Sequence, residues 1–154
     1  MLIMMIGAAG SGKSRYVKRH LAHLNIVCPD DIRMELNGNL TDQTNNQRVW
    51  EIAMAQLAGY LEAGKDVVLD ATGLQRWSRL RILQLVPANC SILYLVVIRP
   101  LREKIRDRGW RPESLVINHD TLFYSKFKEI VDGDDDPRVR VEYVNPNEPD
   151  HYDF

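Results

Sequence analysis

Cysteine is scarce in this chain, with Cys28 and Cys90 the only two among 154 residues. They have no metal-binding spacing, and without a secretion signal ahead of them they are expected as reduced thiols rather than a disulfide. The four histidines supply no metal set either. His20 and His23 share a helix face, but no third ligand lies nearby, and zinc takes three or four protein ligands. Long apolar runs are missing: the longest, Ile92 to Ile98, falls far short of the roughly 20 residues of a helical membrane span. The first apolar run leads straight into glycines, with no basic region before it and no cleavage site after it, so no signal peptide is expected. A cytoplasmic protein away from the membrane follows as the expectation. A net charge of −1 excludes a general nucleic-acid coating protein. No Asn-Lys-x-Asp run is present to read guanine, and no coiled-coil or second basic domain suited to a motor.

What is present is an ordinary globular composition in a chain long enough for one domain with its own core. Short apolar runs are expected as strands at Leu2 to Ile6, Asn25 to Cys28, Asp66 to Asp70, Ser91 to Ile98 and Val139 to Val144. Helical spacing lies between them. The first helix carries Tyr16, Val17, Leu21 and Leu24. A long helix runs from about Thr44 to Ala63 with Trp50, Ala53, Leu57 and Tyr60 or Leu61 as its apolar face, and Gly64 stops it. Further helices are expected from about Gln75 to Leu85, Leu101 to Arg108 and Pro112 to Lys128, whereas 34–46 reads as a polar loop around Asn37-Gly38-Asn39. Strands alternating with helices give a parallel sheet covered on both faces, hence one α/β three-layer αβα domain with about five strands. That domain is expected over residues 1–144, with a helical lid at about 99–128 and a surface tail at 145–154.

Charge is uneven along this frame. Arg76, Arg79 and Arg81 form one basic group; Arg99, Arg102, Lys104, Arg106, Arg108 and Arg111 form another. Within the second group, Lys104 reads as part of a solvated face.

Between the first strand and the first helix stands Gly7-Ala8-Ala9-Gly10-Ser11-Gly12-Lys13-Ser14. Gly-x-x-x-x-Gly-Lys-[Ser/Thr] arises by chance about once in two hundred chains of this length at average residue usage, and here a strand precedes it and an amphipathic helix follows. Gly7, Gly10 and Gly12 let successive backbone N–H groups, with that of Ser11, point into one concavity at a helix N-terminus, where phosphate oxygens bind. Lys13 would reach the β- and γ-phosphates of ATP, and the Ser14 hydroxyl would bind Mg²⁺.

Three further features point to phosphoryl transfer. Pro29-Asp30-Asp31-Ile32-Arg33 follows the second strand, where the C-terminal strand ends of a doubly wound sheet meet at the ligand crevice. Asp30 would take the proton of an attacking hydroxyl and Arg33 hold an anionic group; the plainer alternative is that one of the two aspartates caps a helix. Asp70, ending the third strand before Ala71-Thr72, would face the metal or its waters, or cap the next helix. Arg102 to Gly109 forms a basic helix with a flexible end, from which Arg108, and with it Arg106, would cover the moving phosphoryl group.

With these residues the chain resembles the 5′-OH polynucleotide kinase domain of bacteriophage and bacterial end-healing enzymes, and more broadly the zeta-toxin-like P-loop kinases. The resemblance covers about Leu2 to Val144 and rests on the glycine loop, Asp30-Asp31-Ile32-Arg33, Asp70-Ala71-Thr72 and Arg108-Gly109. It implies an ATP- and Mg²⁺-dependent kinase acting on the 5′-hydroxyl of DNA or RNA ends. Asp30 would be the general base, Arg33 the contact to the acceptor phosphate, and Arg108 the lid contact to the donor. Lys13 and Ser14 would hold the donor phosphates and metal, with Asp70 beside them. Thr72 and Arg76, with Arg79, would extend the acceptor surface. The chain departs from the family at Gly73, often asparagine there, and at Pro29, both on the acceptor side. A phosphatase activity is not expected. The alternatives are a P-loop kinase acting on a small molecule, a sugar nucleotide or a hydroxymethylated base, and a non-catalytic ATP-binding regulator.

Overall fold

The computed structural model describes residues 1–146; most of the tail expected at 145–154 lies outside the described residues. Five strands form one all-parallel sheet: β1 Leu2–Ile6, β2 Asn25–Val27, β3 Val67–Leu69, β4 Ile92–Val97 and β5 Val139–Val144. Their order is β2-β3-β1-β4-β5, with Leu2 opposite both Val67 and Ile92. Every residue of β1 and β4 is buried, as a parallel sheet covered on both faces requires. Leu2, Met4 and Ile6 point to one face and join Val49, Ala53, Leu57 and Ile82. Ile3 and Met5 point to the other and join Tyr16, Val17 and Leu21. The chain order reverses about β1, so the crevice lies at the C-terminal ends of β1 and β3.

The first layer of helices begins with α1 (Lys13–Tyr16), which widens into a π-helical turn at Val17–Leu21. The others are α2 (Pro29–Asn37), α3 (Asn46–Glu62), α4 (Arg76–Leu83), α5 (Leu101–Arg106), α6 (Glu113–Ser125) and α7 (Phe127–Val131). A 3₁₀ turn, Gly133–Asp135, precedes β5. No helix among the described residues is long and apolar enough to cross a membrane.

Three elements differ from the sequence expectation. Part of the 34–46 loop is helical: Pro29 begins α2 as well as ending β2, since proline's fixed φ and missing N–H suit a first helical turn. Asp30 and Asp31 sit in that first turn, where the helix dipole favours carboxylates, but neither caps it; Cys28 holds the cap position. The buried stripe of α3 is Val49, Ala53, Leu57 and Leu61, which agrees with the expected face except at its start, where Val49 is buried and Trp50 only partly so. The expected helix from Pro112 to Lys128 breaks at Lys126 into α6 and α7.

Two basic residues are also corrected. Lys104 is not on a solvated face: its side chain is 2% exposed and ion-paired with Asp120 of α6. Arg79 does not extend a surface: it is wholly buried and bonds Asp134 at 2.7 and 2.9 Å.

Candidate active site

Strand β1 delivers the glycine loop to the crevice, and three contacts fix it there. Gly7 N–H donates to the Thr72 carbonyl at 3.0 Å, tying the loop to the end of β3. Arg99 donates to the Gly10 carbonyl at 3.1 Å. At Gly10 the backbone has φ +79°, and a Cβ would stand 3.0 Å from the Lys104 carbonyl of α5. Only glycine takes this left-handed conformation while lying so close to a neighbouring helix.

A cavity of about 800 Å³ opens over the loop. Its walls come from the glycine loop, from Asp30 and Arg33 of α2, from Asp70 to Thr72 after β3, and from the segment between α5 and α6. Lys13, Arg15, Arg33, Arg99 and Arg111 face three carboxylates, Asp30, Asp70 and Asp107. That excess of positive charge suits a polyanion such as a nucleoside triphosphate.

At the centre, the Lys13 ammonium donates to the Ala8 carbonyl at 3.0 Å. Burial pushes its pKa down to about 8, against the raising pull of Asp70. Ser14 Oγ donates to Asp70 Oδ2 at 2.9 Å. Burial raises the Asp70 pKa, although the Ser14 hydroxyl and Lys13 pull it down. This oxygen pair fits Mg²⁺, which takes one or two protein oxygens and completes its shell with water and phosphate. No cluster of three or more acidic, histidine or cysteine ligands occurs among the described residues.

On the wall formed by α2, Arg33 donates to Asp30 at 2.5 Å and to Asn46 Oδ1 at 2.8 Å. The Arg33 side chain is buried and that of Asp30 half exposed, so the carboxylate is presented to the cavity on a fixed cation. Gly73, where the resemblance leads one to expect asparagine, has φ +62°, and a Cβ there would lie 3.1 Å from the Met5 carbonyl. The close approach of the strand end accounts for glycine at this position.

The lid differs in detail from the sequence expectation. Arg106 is mostly exposed and pairs with Asp107, and Arg108 donates to the Ile105 carbonyl at 2.9 Å. Neither lines the cavity; Arg99 and Arg111 do, with Trp110 and His119. The Arg111 guanidinium lies 5.2 Å from the Trp110 ring. His119 Nδ1 is buried without a hydrogen-bond partner, and burial, then Lys13 and Arg111, lower its pKa. Arg99 and Arg111 stood in the basic group read from the sequence, but spacing did not single them out, and nothing in the sequence marked His119. Arg76 lies outside the cavity, 3.4 Å from Asp134, whereas Thr72 is in its wall.

The Lys13 geometry carries a pH prediction. A lysine with a pKa of about 8 is protonated below that value and loses its charge above it, while bound phosphates favour the charged form. ATP affinity is therefore expected to be flat below that pKa and to fall about tenfold per pH unit above it. Calorimetry one unit above it, in buffers of different ionisation enthalpy, should show proton uptake on binding. Lys13→Met should abolish both the slope and the uptake.

Comparison with known proteins gives the family and the fold. A family model described as "AAA domain" matches residues 2–112. No protein of curated function matches the chain by sequence. In structure it is similar to a chain of the Pnkp1/Rnl/Hen1 RNA repair complex, with a TM-score of 0.71 and 21% identity over 83% of this chain and 45% of that one. It is also similar to a gluconokinase from Sinorhizobium meliloti, with a TM-score of 0.58 and 19% identity over 96% and 83% of the two chains. Shikimate kinase from Acinetobacter baumannii gives a TM-score of 0.57 and 12% identity over 96% and 84%. The chain thus spans less than half the length of the RNA-repair protein. At these identities the likeness establishes the αβα P-loop kinase fold.

Proposed function

The chain belongs to the AAA domain family of P-loop proteins, and from that premise we propose that it is a kinase transferring the γ-phosphoryl of ATP to the 5′-hydroxyl of a nucleic acid end. One observation carries the reading: Asp30 held on Arg33 faces Lys13 and the Ser14–Asp70 pair across a single cavity. A donor site alone would need only the glycine loop. A carboxylate fixed on an arginine on the opposite wall adds a base for a hydroxyl and a cation for an anionic acceptor.

In this reading Asp30 accepts the hydroxyl proton as that oxygen attacks the γ-phosphorus. The bond to the β–γ bridging oxygen breaks and ADP leaves. Lys13 follows the charge on the transferred group, with Arg99 and Arg111 close by, and Arg108 joins only by leaving the Ile105 carbonyl. Arg33 holds the phosphate next to the acceptor hydroxyl. Ser14 and Asp70 would hold Mg²⁺, which when bound neutralises phosphate charge. The similarity to an RNA repair complex chain supports a nucleic acid acceptor.

A small-molecule hydroxyl is the second reading. It is favoured by the chain's coverage of more than four-fifths of a gluconokinase and of a shikimate kinase. Incubation with γ-labelled ATP, Mg²⁺ and a panel of 5′-OH oligonucleotides, sugar acids and shikimate separates the two. Label is expected on the oligonucleotide; label on the small molecules alone replaces the first reading with the second.

A further inference from the structure

A second cavity, of about 540 Å³, opens between α3 and α4. It plays no part in the transfer chemistry described above. Its volume lies within the roughly 300–1,000 Å³ of small-ligand sites. Two of the chain's three tryptophans line it, Trp50 from α3 and Trp77 from α4. Trp77 is 66% exposed, a large aromatic surface left in water on a short helix. The rest of the lining is mixed: Met54 and Leu74 are among its apolar residues, Gln47 and Gln75 supply amide groups, and Glu51 and Arg81 bring charge.

Its position relative to the transfer site is the informative part. Ala71 and Thr72 line both cavities, so the second adjoins the first across the segment that follows β3. Asn46, in its wall, accepts the hydrogen bond from Arg33 at 2.8 Å. A molecule whose phosphate sits on Arg33 and whose hydroxyl sits at Asp30 would therefore have its adjoining part at the mouth of this crevice. A polyol would leave the tryptophans and methionines unused. A flat heteroaromatic ring would stack on them and reach the two glutamine amides at its edge.

We propose that the crevice between α3 and α4 seats a nucleobase of the acceptor strand, stacked on Trp77 and backed by Trp50. This rests on the polynucleotide reading of the transfer site and specifies it: the acceptor is bound by a base as well as by its phosphate. Because stacking uses the π-face that every base has, the site accepts any sequence and requires a base to be present.

The test uses the full chain and label transfer to 5′-OH oligonucleotides, one ordinary and one with abasic residues at its first two 5′ positions. Trp77→Ala is the main variant, since an exposed side chain can be removed without opening the core. Trp77→Phe is the conservative partner. Trp77→Ala is expected to raise KM for the ordinary oligonucleotide about tenfold, within the range of base–aromatic stacking. KM for ATP should not move, and Trp77→Phe should restore most of the loss. Wild-type protein should bind the abasic oligonucleotide about as weakly as Trp77→Ala binds the ordinary one, and the variant should add no further loss on the abasic strand. Ordinary labelling with an unchanged KM in Trp77→Ala, or an equal loss on both strands, overturns the crevice proposal alone. No labelling of any oligonucleotide by the wild type overturns the polynucleotide reading, and the crevice proposal with it.

Discussion

Asp30→Asn is expected to slow phosphoryl transfer by about two to four orders of magnitude, the range for removal of a general base, while ATP affinity changes by no more than a few-fold. The amide keeps the size of the carboxylate and can still accept a hydrogen bond from Arg33, which is also held by Asn46. What it cannot do is take a proton from a hydroxyl. The loss should appear in kcat at saturating acceptor, measured by label transfer, with nucleotide affinity followed by direct binding. A loss confined to the acceptor KM would make Asp30 a holder of Arg33 rather than a base. Full retention of biological function together with loss of label transfer would favour a nucleotide-gated regulator. Arg33→Lys should behave differently. A lysine cannot span Asp30 and Asn46 with a planar fork, so the acceptor KM should rise more than kcat falls.

The sheet and the placing of the glycine loop were legible in the sequence because local rules govern them. β1 is apolar from Leu2 to Ile6 and is followed at once by the glycine loop; strand, turn and helix are all short-range. Asp30 and Arg33 in α2 and Asp70 after β3 line one cavity, because a parallel α/β topology fixes which strand ends meet. The illegible parts depend on partners far along the chain. Lys104 looked solvated because Asp120, its partner, lies on a different helix. Arg79 looked like a surface arginine because Asp134 is 55 residues away. In the lid, helical spacing identifies a cluster of arginines but not which of them turn inward. That choice is made by the packing of α5 on the glycine loop through Lys104 and by the turn at Gly109, which has φ +61°. Trp50 was assigned to the core for a similar reason. A helical period defines a stripe, and at its first position Trp50 and Val49 both fit the spacing with Ala53, while the structure buries Val49 and leaves Trp50 lining the crevice.

Arg79→Met is expected to destabilise the fold by about 3–5 kcal/mol, the usual result of stranding one member of a buried ion pair. In a domain of this size that corresponds to a fall in Tm of roughly 6–20 °C. Arg79 reaches Asp134 with two nitrogens at 2.7 and 2.9 Å, and also donates to the Gly73 and Leu74 carbonyls at 2.8 and 3.1 Å. Tyr94, in the middle of β4, donates its hydroxyl to the same carboxylate at 2.5 Å. The network therefore ties α4 and the Gly73 loop to the 3₁₀ turn before β5, through the face of the sheet. Burial alone would raise the Asp134 pKa, but hydrogen bonds from Arg79 and Tyr94 hold it below the ordinary carboxylate value. A carboxyl with a depressed folded-state pKa contributes stability above its unfolded pKa and loses it as pH falls through the folded value. Without Arg79 the Asp134 pKa rises, because only the Tyr94 hydroxyl and Arg76, 3.4 Å away, are left to offset burial. The variant therefore loses less than the intact protein when the carboxyl is protonated, so the deficit of Arg79→Met should be largest at neutral pH and shrink toward pH 4, near the unfolded aspartate pKa of about 3.9. Asp134 has φ +51°, a left-handed backbone that asparagine tolerates, so Asp134→Asn removes the charge without backbone strain. Combined with Arg79→Met it should recover part of the single variant's loss, because no unpaired charge remains buried. Denaturant melts of the two single variants and the double across this pH range would read the coupling. Strict additivity of the two losses, with no pH dependence in the Arg79→Met deficit, would show that packing rather than charge holds this junction.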